Sequence, residues 1–456
     1  MNRRTWIKTG AAALGGGLVL PTRSAAALPA TFDHEAARTA QEHLWRGEAL
    51  PQSASTPNTA SPAAEGGDRP ARVVTPNGVS LTGRRADDGA WVYHLLAEEV
   101  EHEYAPGLSA FCWGYNGRVH GPTIEAVEGD RVRIYVTNRL GAPTTVHWHG
   151  LFLPSGMDGV GGLSQPPILP GETFAYEFTL RQHGTFMYHS HHDEMTQMAL
   201  GMMGLFVVHP RRALRPVDRD YAIMLGEWYL RPGTRRPDPN AMGDFNVLTM
   251  NARCFPGTAP LVAQTGERVR IRFGNLSAMD HHPVHLHGFA WRVVETDGGV
   301  LPEAGRWPET TVLVPTGSTR TVEFVADAPG DWAMHCHMTH HVMNQMGHGI
   351  PNTVGADLGP LDPPTRHLLP DYMAMGEHGM GEMAEHIGMG HMDVPENSIP
   401  MVGGRGPFGT ITMGGMFTIL KVRDRLTDAP GWYENPPGTV AALADAEALA
   451  RDSIAT

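Results

Sequence analysis

Cysteine is scarce: the 456-residue chain has three. Cys336 lies in a histidine-rich stretch with no second cysteine near it, which argues against zinc, since zinc sites reuse Cys/His pairs at short spacing. Cys112 and Cys254 remain, and as a disulfide pair or as two free buried thiols they are equally compatible with the sequence. Positive charge is also short. Lysine and arginine total 35 against 48 acidic residues, a formal charge of −13, which argues against nucleic acid as a partner. Long apolar runs are missing too. The best, Ala11 to Leu20, is too short to span a bilayer, so no stable membrane insertion is expected. Strong helical periodicity is absent from the body of the chain.

Histidine, by contrast, is plentiful, with 25 in the chain. In the stretch Asp331 to Met346, Cys336 sits between His335 and His337, His341 follows five residues later, and Met346 ten. A thiolate, imidazoles and a weak axial thioether are the ligand set of a blue-copper electron-transfer site. If this segment is a strand, His335 and His337 point to the face opposite Cys336 and are free to bind a second metal centre wired covalently to the first. Three more histidine groups accompany it: His147-Trp-His149-Gly150, His189-Ser-His191, and His282-Pro-Val-His285-Leu-His287-Gly288.

Those four segments, in that order between about Trp113 and Ile350 with a closing strand near Met416, resemble the multicopper oxidases. The resemblance implies four coppers per chain. His282, Cys336, His341 and Met346 would hold the type 1 copper, with Met346 as a long axial ligand. His147 and His285 would hold the type 2 copper, and His149, His189, His191, His287, His335 and His337 the type 3 pair. Asp158, in Met157-Asp158-Gly159, matches a family carboxylate near the type 2 copper and is the candidate proton relay. A second carboxylate that some relatives carry just after the cysteine is missing, with Thr339 and Val342 in its place. Asp193 or Glu194 is the candidate substitute.

An internal repeat is visible without the family. Gly129–Ile134 matches Gly266–Ile271, and each is followed by a short loop and an HxHG segment. Pro170–Phe178 corresponds to Thr316–Phe324, Gly184–His189 to Gly330–His335, and Gly201–Val208 to Gly414–Lys421. β-Branched residues, alternation and Gly/Pro punctuation about every ten residues make each unit a Greek-key β-sandwich. The expected fold is all-β: two such domains, cupredoxin-like as the resemblance implies, with a Met/His-rich insertion in the second. The expected boundaries are 1–27 for a twin-arginine-type signal peptide, 28–71 for a flexible linker, 72–212 and 213–350 for the two domains, 351–412 for the insertion, 413–430 for the closing strand of domain 2, and 431–456 for a tail with a surface helix. The signal is read from Asn2–Lys8, the apolar run, and Ala25–Ala27, and it makes the protein periplasmic or secreted.

In the first repeat Ser190 stands for Cys336, Met195 for His341, Leu200 for Met346 and Thr144 for His282, so only domain 2 can hold a type 1 copper. No third domain fits between Asp193 and His281. The chain is therefore similar to the two-domain laccase-like members, which implies a homotrimer whose trinuclear clusters are shared between subunits. The insertion carries Met373, Met375, His378, Met380, Met383, His386, Met389, His391, Met392 and Met401. It is either an adaptable packing loop or a Cu(I) site, since thioethers select the cuprous ion.

The expected activity is one-electron oxidation of a metal ion, Cu(I) first, or of a phenol, coupled to reduction of O2 to water. Electrons leave through Cys336 to His335 or His337. A nitrite reductase would keep its blue copper in the first domain and lack four HxH pairs. A non-enzymatic copper buffer would not need every cluster histidine, and none is lost.

Overall fold

The computed structural model describes residues 64–65, 67–212, 216–231, 233–243, 245–345, 364, 367–368, 396–427 and 430–455. The expected signal peptide, most of the expected linker, Met346, and the insertion from Met373 to Met392 lie outside the described residues.

Four principal sheets stack as layers. Layer I has five strands, among them Trp91–Ala105, Arg131–Asn138 and Thr173–Thr179. Layer II has six, including Val146–His147, Gly184–Ser190 and Met203–His209. Layer III has seven, including Arg219–Trp228, Arg268–Asn275 and Ser318–Val325. Layer IV has five, including His282–Leu286, Gly330–Cys336 and Phe417–Arg423. Layers I and II form the first sandwich, III and IV the second.

Alternation builds each interface. Val132, Ile134 and Val136 point into the core shared with Phe186, Tyr188 and Phe206 of layer II. On the other face Arg133 lies opposite Glu177 and is bonded to it. Layer III breaks this pattern because both of its faces are covered. Tyr221, Ile223 and Leu225 pack against layer IV, while Ala222 and Met224 pack against Met187, Leu205 and Val207 of layer II. The resulting layer order is I, II, III, IV.

Arg272 occupies the II–III interface with 2 % of its surface exposed. It donates to both Asp220 oxygens at 2.8 and 3.0 Å, to Thr185 of layer II at 2.8 Å, and to Glu295 at 3.3 Å. A charge this deep is tolerated because every donor edge meets an acceptor. Burial works to raise the Asp220 pKa, but the Arg272 charge and hydrogen bonds prevail and hold it below the ordinary value.

Two expectations need correction. The last residues of the expected linker are packed, with Arg69 paired to Asp130 and stacked 3.5 Å over the Trp91 ring. The closing strands align one residue away from the match read in the sequence. His189 pairs with Met203 and His335 with Phe417, so Met203 corresponds to Phe417 and Met202 to Met416. Such a slip moves every side chain to the other face of a strand, so only one register buries the apolar set. Met401 is buried at 3 % exposure, and its carbonyl accepts from the Asn344 amide, which at this residue fits the packing alternative. Cys112 and Cys254 are both free and buried. The tail does form a surface helix, Ala446–Arg451, capped by Asp445. No helix among the described residues is long and apolar enough to cross a membrane.

Candidate metal centres

His282 and Cys336 come from neighbouring strands of layer IV, and His341 from the 3-10 turn Thr339–Val342 that follows. All three are buried, and their donor atoms face one another. His282 Nδ1 is 3.2 Å from His341 Nδ1, and the Cys336 Sγ is 3.9 and 3.5 Å from those two atoms. Bonds of about 2.0–2.1 Å to nitrogen and 2.3 Å to sulfur put such donors roughly 3.3–3.8 Å apart around one ion, so the set fits a metal. Burial pushes the His282 imidazole down to about 3 and the Cys336 thiol up to about 12. Both are therefore neutral on their own, and a soft cation is what turns such a thiol into a thiolate.

The other eight histidines of the expected ligand set form two groups of four. His147, His149, His189 and His191 gather at the end of layer II, with rings 5.3–5.7 Å from that of His147. His285, His287, His335 and His337 gather on layer IV, with rings 4.8–5.8 Å from that of His285. The groups are built alike. His147 pairs with His189, and His285 with His335, directly across adjacent strands. His147 Nδ1 donates to the Asp158 carbonyl at 2.8 Å, and His285 Nδ1 to the Thr310 carbonyl at 2.7 Å. His189 and His335 each donate from Nδ1 to the carbonyl of the next residue, at 2.9 and 2.8 Å. In all four rings Nε2 is left for a metal, the usual way a carbonyl orients a ligand imidazole. His287 Nε2 and His335 Nε2 stand 3.2 Å apart, and His149 Nδ1 and His189 Nε2 3.4 Å, again the spacing of two nitrogens on one ion.

Sequence models described as multicopper oxidase match residues 97–213 and 231–355, together a little over half of the chain. The chain belongs to the multicopper oxidase family. Members bind copper at type 1, type 2 and type 3 sites. Copper resistance protein A of Escherichia coli is 29% identical over 336 residues, 61% of this chain and 53% of that protein. The chain spans about half the length of such curated relatives. Among solved structures, the blue copper oxidase of Nitrosomonas europaea superposes with a TM-score of 0.54 at 26% identity, over 73% of this chain and 85% of that one. The multicopper oxidase mgLAC gives 0.54 at 26%, over 77% and 91%. Both sandwiches thus have the cupredoxin fold of this family.

Within one chain the two histidine groups do not meet. Among the described residues no ring contact joins them. Along the Cys336 strand, Met334 and Cys336 point inward to layer III, so His335 points outward, and His287 and His337 are exposed. The His189 group lies on the side of layer II that turns toward layer III. Sheets pack about 10 Å apart, so two intervening layers put the groups on the order of 20 Å from each other.

Asp158 touches His147 twice, by its carbonyl and by a carboxylate oxygen 3.4 Å from Nδ1. Gly159 makes this possible: at φ 86° a Cβ there would lie 1.8 Å from the Val146 carbonyl. Glu194 sets its carboxylate 3.7 Å from His189 and 3.9 Å from His191. Asp193, the other candidate substitute, immediately precedes the short helix Glu194–Ala199.

Three residues around the cysteine site were not read from the sequence. Ser277 bonds His282 Nε2 at 2.7 Å, and Asp280 places a carboxylate oxygen 3.5 Å from His341 Nε2. Glu227 accepts from the Met279 and Asp280 amides, and burial beside Asp280 pushes its pKa up to about 8. Asp280, two residues before a ligand, was the findable one; Glu227 arrives from another strand.

Proposed function

We propose that this protein is an exported, trimeric multicopper oxidase that takes single electrons from a low-valent metal ion, Cu(I) foremost, and reduces O2 to water. The observation that carries the reading is the Cys336 segment: one buried thiol completes a three-ligand site while its two neighbours, His335 and His337, enter another group. Bound copper supplies the one-electron redox chemistry and the binding of O2. Cys336 connects the two centres through its own backbone and through its carbonyl, which accepts from the His335 ring at 2.8 Å. Asp158, against His147 Nδ1, is placed to hold a proton near the type 2 position.

The separation of the two half sites supports a ring of subunits in which the layer II histidines of one meet the layer IV histidines of the next. Heterologous contacts that close form such rings. The choice of a cationic reductant rests on the Asp280 carboxylate at the outer edge of His341, which attracts positive charge to the ligand where electrons enter. The Met- and His-rich insertion, adjoining the same loop in sequence, and the likeness to a copper resistance protein support Cu(I) in particular. Export rests on the leader-like residues 1–27.

The test is oxygen uptake by purified, copper-loaded protein with Cu(I), Fe(II), Mn(II) and a phenol side by side, together with copper analysis and the visible spectrum. A blue protein fastest with Cu(I) is expected. Faster phenol turnover replaces the metal-ion reading with a laccase-type one, and a colourless zinc protein overturns the whole assignment.

A further inference from the structure

His120 borders two cavities. The larger, a cleft of about 670 Å3, is lined by the four layer II histidines. The smaller, about 230 Å3, lies behind it and is polar, with Glu101, His102, Glu103, Arg118 and Arg253 in its wall. His120 lines both. Its residue surface is 8 % exposed, yet neither ring nitrogen has a hydrogen-bond partner. The Gly201 backbone is close enough to favour the charged ring but makes no aligned hydrogen bond. Neighbouring His102 is different, because its Nε2 is committed to the Ala252 carbonyl at 2.6 Å.

The ring is held in place by other means. It stacks on Trp228 with centroids 5.7 Å apart and planes 28° from parallel. Gly226 leaves its flank open, where a Cβ would stand 3.3 Å from Nε2. Leaving a buried donor or acceptor unsatisfied is costly, and this ring has one of each. Polar cavities of this size hold water, which relieves that cost.

We propose that His120 passes protons from water in the smaller cavity to the histidine cleft, one ring nitrogen accepting a proton as the other gives one up. The proposal rests on the oxidase reading above. Reduction of O2 to two waters consumes four electrons and four protons. The electrons come from the reductant and the protons from bulk water through the smaller cavity. Each transfer leaves His120 as its other tautomer, and a half-turn of the ring about Cβ–Cγ restores the first before the next. Burial holds the imidazole down to about 3, so the ring is neutral at working pH, with one N–H and one lone pair. A concerted hand-over never forms a buried imidazolium. The other charged groups facing the path are those of the smaller cavity, where Arg253 is already paired with Glu103, and Glu194, Glu227 and Asp238 of the cleft. His120 is a relay and touches no reacting atom, so its role shows in proton-dependent quantities.

Two variants and one structure test it. His120→Phe keeps the stack and removes both nitrogens, and His120→Gln restores hydrogen bonding without proton exchange. In copper-replete protein both are expected to lower O2 uptake about tenfold, less than the roughly 100-fold minimum for a group that exchanges protons with the reacting atoms, because His120 acts at one remove. They should also raise the solvent deuterium isotope effect and steepen the fall of rate at high pH. Blue absorption and anaerobic bleaching by the reductant stay as in wild type, and added imidazole restores part of the rate in His120→Phe. Wild-type uptake and isotope effect in both variants overturn the proposal. Independently of activity, a crystal structure of the copper-free protein that resolves water should show one molecule on each His120 nitrogen, one from either cavity. Two dry nitrogens overturn it as well, whereas a wild-type protein that takes up no oxygen counts against the oxidase reading alone.

Discussion

In the first sandwich Thr144, Ser190 and Met195 stand where the second has His282, Cys336 and His341. The strands around them superimpose in pattern, down to the His147–His189 and His285–His335 pairs. In the first sandwich Thr144 is held by hydrogen bonds, while the buried Ser190 hydroxyl has no hydrogen-bond partner. Thr144 donates to Gln197 at 2.7 Å, and Gln197 donates to the Pro143 carbonyl at 2.8 Å. The second instead turns two imidazole nitrogens and a thiol toward one point. A fold that tolerates either solution does not itself specify copper; three side chains do. Both sandwiches keep their outer histidine pairs, as the proposed site shared between subunits requires.

Making the second sandwich like the first should have the largest effect. Cys336→Ser copies Ser190 and is expected to abolish the blue absorption and cut O2 uptake by more than about 100-fold, beyond the loss that follows removal of a ligand's supporting contact. Copper analysis should show most of the other three coppers retained. Loss of all copper would mean that the two centres do not form independently.

The half-site symmetry is tested by mixing. His147→Ala and His335→Ala are each expected to be inactive. Exchanged within trimers at equal ratio, they should regain about a quarter of the wild-type rate, the fraction of interfaces with two intact halves. An active monomer, or no recovery after verified exchange, removes the shared-site arrangement.

The sandwiches also differ where they touch. Tyr135 of layer I and Arg272 of layer III occupy the same repeat position, but only Arg272 is covered by another sheet. Arg272→Met takes the guanidinium from Asp220 and Glu295, leaving Asp220 paired with Arg270 at 3.3 Å, and should cost about 3 kcal/mol in denaturant unfolding at neutral pH. In wild type the folded Asp220 pKa is lowered, so its contribution is present above the unfolded carboxyl range and lost as pH falls through the folded value. The difference between variant and wild type should therefore shrink in acid. A constant difference would mean that packing, not charge, is what Arg272 provides.

Smaller effects are expected at the entrance to the cysteine site, which the first sandwich lacks. Asp280→Asn should raise KM for Cu(I) about fivefold, the effect of one partly exposed charge pair, with phenol turnover and the blue colour little changed. Equal effects on both reductants would assign Asp280 to positioning His341. Replacing 371–395 with a Gly/Ser linker, so that the packed Ile399 and Met401 are spared, should lower cuprous oxidation modestly and raise phenol turnover. Unchanged Cu(I) kinetics would make the segment a packing loop.

The sequence by itself determined the histidine and cysteine groups, the two-fold repeat and the choice of the second sandwich for the cysteine site. It could do so because HxH spacing, the embedded cysteine and period-2 alternation are local patterns set by strand geometry. His282, Cys336 and His341 were readable for that reason. Only the tertiary structure decided the register of the closing strand, the burial of Arg272, and the neighbours Glu227 and Ser277. It also revealed the wide separation of the two histidine groups and the position of His120 between two cavities. Each depends on which sheet covers which face, and layer order is a long-range property. Residues as far apart as Thr185 and Arg272 meet only because layers II and III pack, and no spacing along the chain encodes that contact.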